Sequence, residues 1–299
     1  MDAKRKAYLQ VALTILIWSG FIMVSRLAGR SVLSFWDVTA LRFGTATCLL
    51  LPAIWSWRHS LWQWRMFALA LTGGLGYSLL VYAAFARAPA THAAVLLPGM
   101  MPFLTSVVAF LFLSERPDQH RRISLVLAAL GLACMIYSLW RAGTPLAAGD
   151  LLYLSASLSW SIYTVLLRLW QIPPWQATTG VASLSALLYL PIYVLFLPHH
   201  LHAAAWSAIL LQAGYQGCLV VIVAMILYTR AVSVLGAVRV GMCMALVPGL
   251  AALLAIPLLA ERPSGGQVLA LVLIMTSALQ PWTWSWRRRQ DQGEDIETA

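Results

Sequence analysis

The sequence predicts an all-α integral membrane protein of ten transmembrane helices, built as two inverted five-helix repeats. Three observations carry that expectation. Of 299 residues, 61% are hydrophobic and 10% charged, against roughly 25% charged in soluble domains. Apolar runs of about 20 residues, the length that crosses a bilayer, recur from Tyr8 to Trp284 with short polar breaks. The first half of the chain also aligns with the second.

The apolar runs and their punctuation place helices near 8–26, 38–57, 66–86, 93–113, 122–140, 149–169, 175–197, 207–231, 236–259 and 266–284. In lipid only helices and closed barrels satisfy their own backbone groups, and continuous apolar runs exclude the alternating pattern of a barrel. Lys4, Arg5 and Lys6 precede an apolar run that continues past signal-peptide length, so the first segment is expected to remain as a helix. With a cytoplasmic N-terminus, thirteen basic residues fall at inner helix ends and five (Arg26, Arg30, Arg87, Arg141 and Arg262) at outer ones. That asymmetry puts both termini in the cytoplasm. The net charge of +10 is therefore a topology signal, because the basic residues sit singly at segment ends rather than on one face, and nucleic acid is not an expected partner. The tail 287–299 reads as a basic anchor followed by a disordered acidic stub.

At an offset of 146, Tyr82 aligns with Tyr228, Pro102 with Pro248, Leu104 with Leu250, and Glu115-Arg116-Pro117 with Glu261-Arg262-Pro263. At 142, Trp18 aligns with Trp160, Ser19 with Ser161 and Arg26 with Arg168. Residues 1–145 and 146–286 are thus expected to be homologous halves. Each has five helices, an odd number, so the second enters the membrane from the opposite side.

Trp18 and Trp160 fall near mid-helix at equivalent places, where an indole facing lipid leaves its N–H without a partner. They are expected to point inward, to a cavity or to a packed contact between halves. Tyr77, Tyr82, Tyr163 and Tyr228 add aromatic hydroxyls at inner depths, as binding groups or as interhelical hydrogen-bond donors. Pro98, Gly99 and Pro102 in the fourth helix, and Pro248 and Gly249 in the ninth, are candidate hinges, since proline removes a helix hydrogen bond and frees carbonyls. Met100, Met101, Met242 and Met244 flank these kinks, as a tolerant pocket lining or as core filling.

Charge gives the main exclusion. Arg42, His92 and Arg239 are placed within about a turn of helix ends, where snorkelling or loop contacts suffice, and His92 and Arg239 are the candidate titrating or charged groups. No Asp or Glu falls at an expected midplane, which leaves an ion-driven carrier without its usual coupling group. An uncharged cavity also fits a neutral or zwitterionic solute better than a phosphate. His199, His200 and His202 lie in an outer loop without an acidic partner, and Cys48, Cys134, Cys218 and Cys243 fall inside apolar segments without CxxC spacing. Neither pattern is a metal or cofactor site, and nothing assembles the constellation an enzyme needs.

Trp18-Ser19-Gly20, Arg42-Phe43, Pro102, Glu115-Arg116-Pro117 and the repeat at Glu261 together resemble the drug/metabolite transporter superfamily, specifically its EamA-type members. The chain looks most like the bacterial exporters of aromatic and other neutral amino acids. The resemblance implies a central cavity between the halves, an inner-membrane location and amino acids as cargo. Ile162 departs from the pattern, standing where the first half has Gly20. The expected carrier works as a monomer in the bilayer, without a cofactor, by facilitated or weakly coupled alternating access. The substrate-binding candidates are Trp18, Tyr77, Tyr82, Met101, Trp160, Tyr163, Tyr228 and Met244. Carriers of other small metabolites or of hydrophobic cations are the alternative.

Overall fold

The computed structural model describes residues 3–113, 119–142, 147–235, 240 and 243–277. The Glu115-Arg116-Pro117 helix exit, Arg239, Met242 and the tail 287–299 lie outside the described residues. Among those described there are helices and no strands.

Among the described residues the principal helical segments are α1 Ala3–Gly29, α2 Phe35–Leu61, α3 Trp64–Arg87, α4 Ala90–Phe112, α5 Gln119–Arg141, α6 Ala148–Trp170, α7 Pro174–Phe196, α8 Trp206–Leu235, α9 Leu246–Leu259 and α10 Gly265–Ser277. The first eight are long and apolar enough to cross a membrane, and α9 and α10 are shorter apolar helices. Large apolar side chains such as Leu111, Leu195 and Leu253 face outward, as a lipid-facing surface requires.

Local chemistry sets several helix starts. At α2 the Ser34 hydroxyl accepts from the Asp37 N–H (3.2 Å) and the Asp37 carboxylate accepts from the Ser34 N–H (2.7 Å). This capping box satisfies two otherwise orphaned donors and starts the helix at Phe35, three residues before the sequence reading placed it. Ser264 and Gln267 cap α10 in the same reciprocal way.

Three helices depart from regular α geometry. α3 passes through a π-helical turn at Ala70–Leu75 and α8 through one at Ala213–Val223, segments that the 146-residue offset makes equivalent. α4 winds as a π-helix over Val95–Gly99 and breaks at Met100. The expected helix 236–259 likewise breaks at Ala245, so that α9 proper begins at Leu246. Pro102 and Pro248, placed mid-helix by the sequence reading, therefore each fall in the first turn after a break. There the missing N–H costs nothing, because first-turn donors have no intrahelical partner.

The helices pack reciprocally. α1 lies on α8 and α9, α6 lies on α3 and α4, and α2 lies on α7. α5 and α10 meet at the periphery, where Gly131 gives room to Ile274 and the Ser138 and Ser264 hydroxyls approach to 2.9 Å. Contacts also fix the directions of the helices. The C-terminal turn of α1 meets the end of α3, the start of α4 and the end of α9 through Arg26, Arg30 and Glu261. The start of α6 joins the same end of the bundle through Asp150 and His92, so α6 runs opposite to α1.

Candidate functional site

A cavity of about 400 Å³ lies at the middle of the bundle, within the roughly 300–1,000 Å³ typical of small-molecule sites. Its walls come from α1–α4 and α6–α9, the first four helices of each half, while no described residue of α5 or α10 lines it. α1 supplies Trp18, Phe21 and Ile22; α3 supplies Gly73 and Tyr77; α4 supplies Leu97, Pro98 and Met101. α6 adds Trp160, Tyr163, Thr164 and Leu167, and α8 adds Met225 and Tyr228, with Met244 just before α9.

Two aromatic groups form the wall. Trp160 sits between Tyr77 and Tyr163, with ring centroids 4.9 and 5.0 Å away, and Trp18 lies against Tyr228 at 5.4 Å. The Tyr163 ring reaches α3 only because residue 73 is glycine: a Cβ there would fall 2.3 Å from the ring. Seven of the eight expected binding residues (Trp18, Tyr77, Met101, Trp160, Tyr163, Tyr228 and Met244) thus line one cavity.

Tyr82 does not. Its place on α3 turns it toward α1 and α2, where its hydroxyl accepts from Arg42 Nη1 (3.1 Å) and donates to Gln216 Oε1 (3.0 Å). Gln216 in turn donates to the Ser25 hydroxyl at 3.0 Å. The repeat partners Tyr82 and Tyr228 have therefore diverged, one behind the wall and one in it.

Arg42 does not lie near a helix end. It is the eighth residue of α2, about 10 Å from the helix start at ~1.5 Å per residue. It lies 6% exposed in the cavity wall instead of snorkelling from a helix end. Its guanidinium lies near the Phe21 and Phe43 rings, 5.9 and 6.0 Å from their centroids, and Nε is buried without a hydrogen-bond partner among the described residues. Among the described lining residues it carries the only charge.

The candidate hinges are placed unequally. Pro98 touches the cavity, Gly99 packs on Ile274, Pro102 is exposed, and Gly249 packs on Met275. The carbonyls that the α4 break frees are occupied: the Ser157 hydroxyl lies within hydrogen-bond distance of Leu96 O (2.7 Å) and Leu97 O (3.1 Å). Ser19 donates to Val247 O (3.3 Å) and Ser161 reaches Met101 O (3.4 Å). These last two contacts are equivalent under the two offsets, each joining the first helix of one half to the broken helix of the other. Neighbouring serines thus hold the carbonyls at both breaks.

His92 stands near the start of α4 with Nδ1 2.8 Å from Asp150 Oδ1, away from the cavity wall. It belongs to a polar layer across one end of the bundle. There Glu261 accepts from Arg26 Nε (2.9 Å) and from Arg30, and from the Ala90 N–H at 2.6 Å, capping α4. Asp37 accepts from the Tyr193 hydroxyl (2.5 Å) and the His200 N–H (3.1 Å), which ties α2 to α7 and the following loop. With its Nδ1 3.7 Å from Asp37 Oδ2, His200 has an acidic neighbour, contrary to the expectation for this loop, because the fold brings the start of α2 beside it. Toward this end the lining residues Phe21, Ile22, Arg42, Tyr77 and Leu97 are all buried, whereas toward the other end Thr164 is exposed and Leu167, Met225, Tyr228 and Met244 are partly so. The lining is thus buried toward the polar layer and, Thr178 apart, more accessible toward the opposite end.

The model of the EamA-like transporter family matches the chain twice, over residues 5–137 and 147–280. The chain belongs to the EamA-like transporter family. It is a multi-pass membrane transporter of the drug/metabolite superfamily, with a two-repeat membrane fold. No curated protein matches the sequence. Among sixteen matching chains of solved structure, one crystal structure is 23% identical and superposes with a TM-score of 0.63, covering 94% of this transporter and 98% of its own chain. That likeness establishes the fold alone.

Proposed function

We propose that this EamA-like transporter exports neutral amino acids, aromatic and apolar ones above all, across a bacterial inner membrane by alternating access. The observation that carries the reading is the cavity itself: central, walled by four helices of each half, rich in aromatic and Met side chains, and buried most deeply toward the polar layer. Aromatic faces take apolar rings and ammonium groups alike. The reciprocal packing and the paired Ser19 and Ser161 contacts support ten spans arranged as inverted halves, 1–145 and 146–286, that rock about the cavity. With both termini cytoplasmic, the more accessible end faces the cytoplasm, where an exporter loads its cargo. One chain encloses the whole cavity, which supports a monomer as the working unit. The cation at Arg42 and the absence of acidic groups among the described lining residues count against hydrophobic cations as cargo.

Uptake of a radiolabelled amino-acid panel into proteoliposomes, with and without a pH gradient, tests this. L-phenylalanine and L-tryptophan are expected to be carried, and Trp18→Ala and Trp160→Ala to slow that flux by about tenfold or more, from the loss of one aromatic contact and its buried area. Absence of flux for every amino acid would refute the reading, and unchanged flux in both variants would remove the two indoles from the path.

A further inference from the structure

Arg42 is a buried cation whose surroundings leave it incomplete. A guanidinium offers five N–H donors and a permanent charge. Here the protein supplies one neutral oxygen, Tyr82 Oη, and two aromatic rings, while Nε is buried without a partner among the described residues. Among the described residues the titratable groups beside it are the phenols of Tyr77 and Tyr82, neither of which is a carboxylate. An ionisable side chain held inside a membrane segment normally pairs with an opposite charge or serves the transported species. Arg42 faces the cavity at its buried end, and the Tyr82, Gln216 and Ser25 chain behind it fixes its position.

Taking the amino-acid reading above as its base, we propose that Arg42 binds the carboxylate of the cargo, so that the transporter takes aromatic and apolar carboxylates and rejects the corresponding amines. A planar guanidinium matches a carboxylate in charge and in fork geometry. With the carboxylate at Arg42, the rest of the molecule extends toward Trp160 and Tyr163 on one side and Trp18 and Tyr228 on the other. The ring of the cargo then meets aromatic faces, and an ammonium group, where present, adds a contact but not the deciding one.

Three ligands separate the parts: 3-phenylpropanoate has the carboxylate alone, 2-phenylethylamine the amine alone, and L-phenylalanine both. Their binding to the purified full chain in lipid nanodiscs is read by tryptophan fluorescence. The wild type is expected to bind both carboxylates, and the amine at least about tenfold more weakly, as the loss of hydrogen bonds to a charged group implies. Arg42→Gln is expected to weaken both carboxylates by about 10- to 100-fold and leave the amine unchanged, with Arg42→Lys between them. Equal wild-type affinity for the amine and 3-phenylpropanoate, no wild-type binding of 3-phenylpropanoate, or undiminished carboxylate binding by Arg42→Gln would each overturn the proposal. The wild-type series decides even if Arg42→Gln does not fold. Arg42-dependent binding of 3-phenylpropanoate without transport of L-phenylalanine would uphold the anion site and refute the amino-acid reading. Transport of L-phenylalanine that ignores Arg42→Gln would do the reverse.

Discussion

The two ends of the helix bundle are held by different physics. At the end where α1 stops, Glu261 gathers Arg26, Arg30 and the start of α4, Asp150 meets His92, and Asp37 meets Tyr193 and His200. At the end where α6 stops, the contacts between α3 and α6 are aromatic. Trp64 stands edge-on to Trp170 at 5.0 Å, and the Arg65 guanidinium lies near both rings, about 6 Å from each. Charge-assisted hydrogen bonds are directional and fail together once their partners separate, whereas aromatic and aliphatic surfaces slide at modest cost. A carrier that must open one end at a time is served by a latch of the first kind wherever it is closed. The two sequence offsets pair Arg26 with Arg168, at the α6 end, and Glu261 with Glu115, so the residues for a matching latch stand at the equivalent positions of the opposite halves.

The largest expected effect breaks the closed end. Glu261→Ala leaves Arg26 and Arg30 without their carboxylate and α4 without its cap. It is expected to cost about 3 kcal/mol, the scale for removing one partner of a mostly buried pair. Thermal unfolding in nanodiscs reads this, and a loss below about 1 kcal/mol would mean the cluster does not hold the end closed. Next comes the cavity wall. Gly73→Ala drives a Cβ into the Tyr163 ring and pushes that ring into the cavity, at about 2 kcal/mol. Its distinguishing mark is a raised KM for aromatic cargo, and an unchanged KM would place Tyr163 outside the path. The smallest effect tests the symmetry. Ser19→Ala and Ser161→Ala each remove a hydroxyl from a contact near a broken helix, at about 1 kcal/mol apiece. The equivalence of the halves predicts similar losses, and a large inequality would argue against it.

Much of this was legible in the sequence, and the misreadings have physical causes. Apolar runs mark the helices because lipid demands them, and the alignment of Trp18 with Trp160 marks a shared depth because both halves descend to the same place. Arg42 looks near an end when the apolar run alone sets the helix start at 38, but from Phe35 it lies two turns inside. The Ser34 and Asp37 spacing was the signal that would have moved that start to Phe35. The π-helical turns were hinted at by Gly73, Gly74 and Gly76, but a change of hydrogen-bond register leaves the apolar pattern intact and so stays hidden. Arg26 and Glu261 were visible as separate motif residues. Their pairing spans 235 positions, and only the three-dimensional packing of α1 against α9 brings them together.

The measurement that tests alternating access about this cavity most directly is side-specific labelling. In a transporter with Cys48, Cys134, Cys218 and Cys243 replaced by serine, Met101→Cys places one thiol in the cavity wall. A membrane-impermeant thiol reagent is expected to reach it only from the side of the chain termini. With Glu261→Ala added, the reagent is expected to reach it from the other side as well, while Glu115→Ala leaves the labelling one-sided. Equal labelling from both sides without Glu261→Ala, or one-sided labelling that survives it, would contradict a cavity closed by the Glu261 latch.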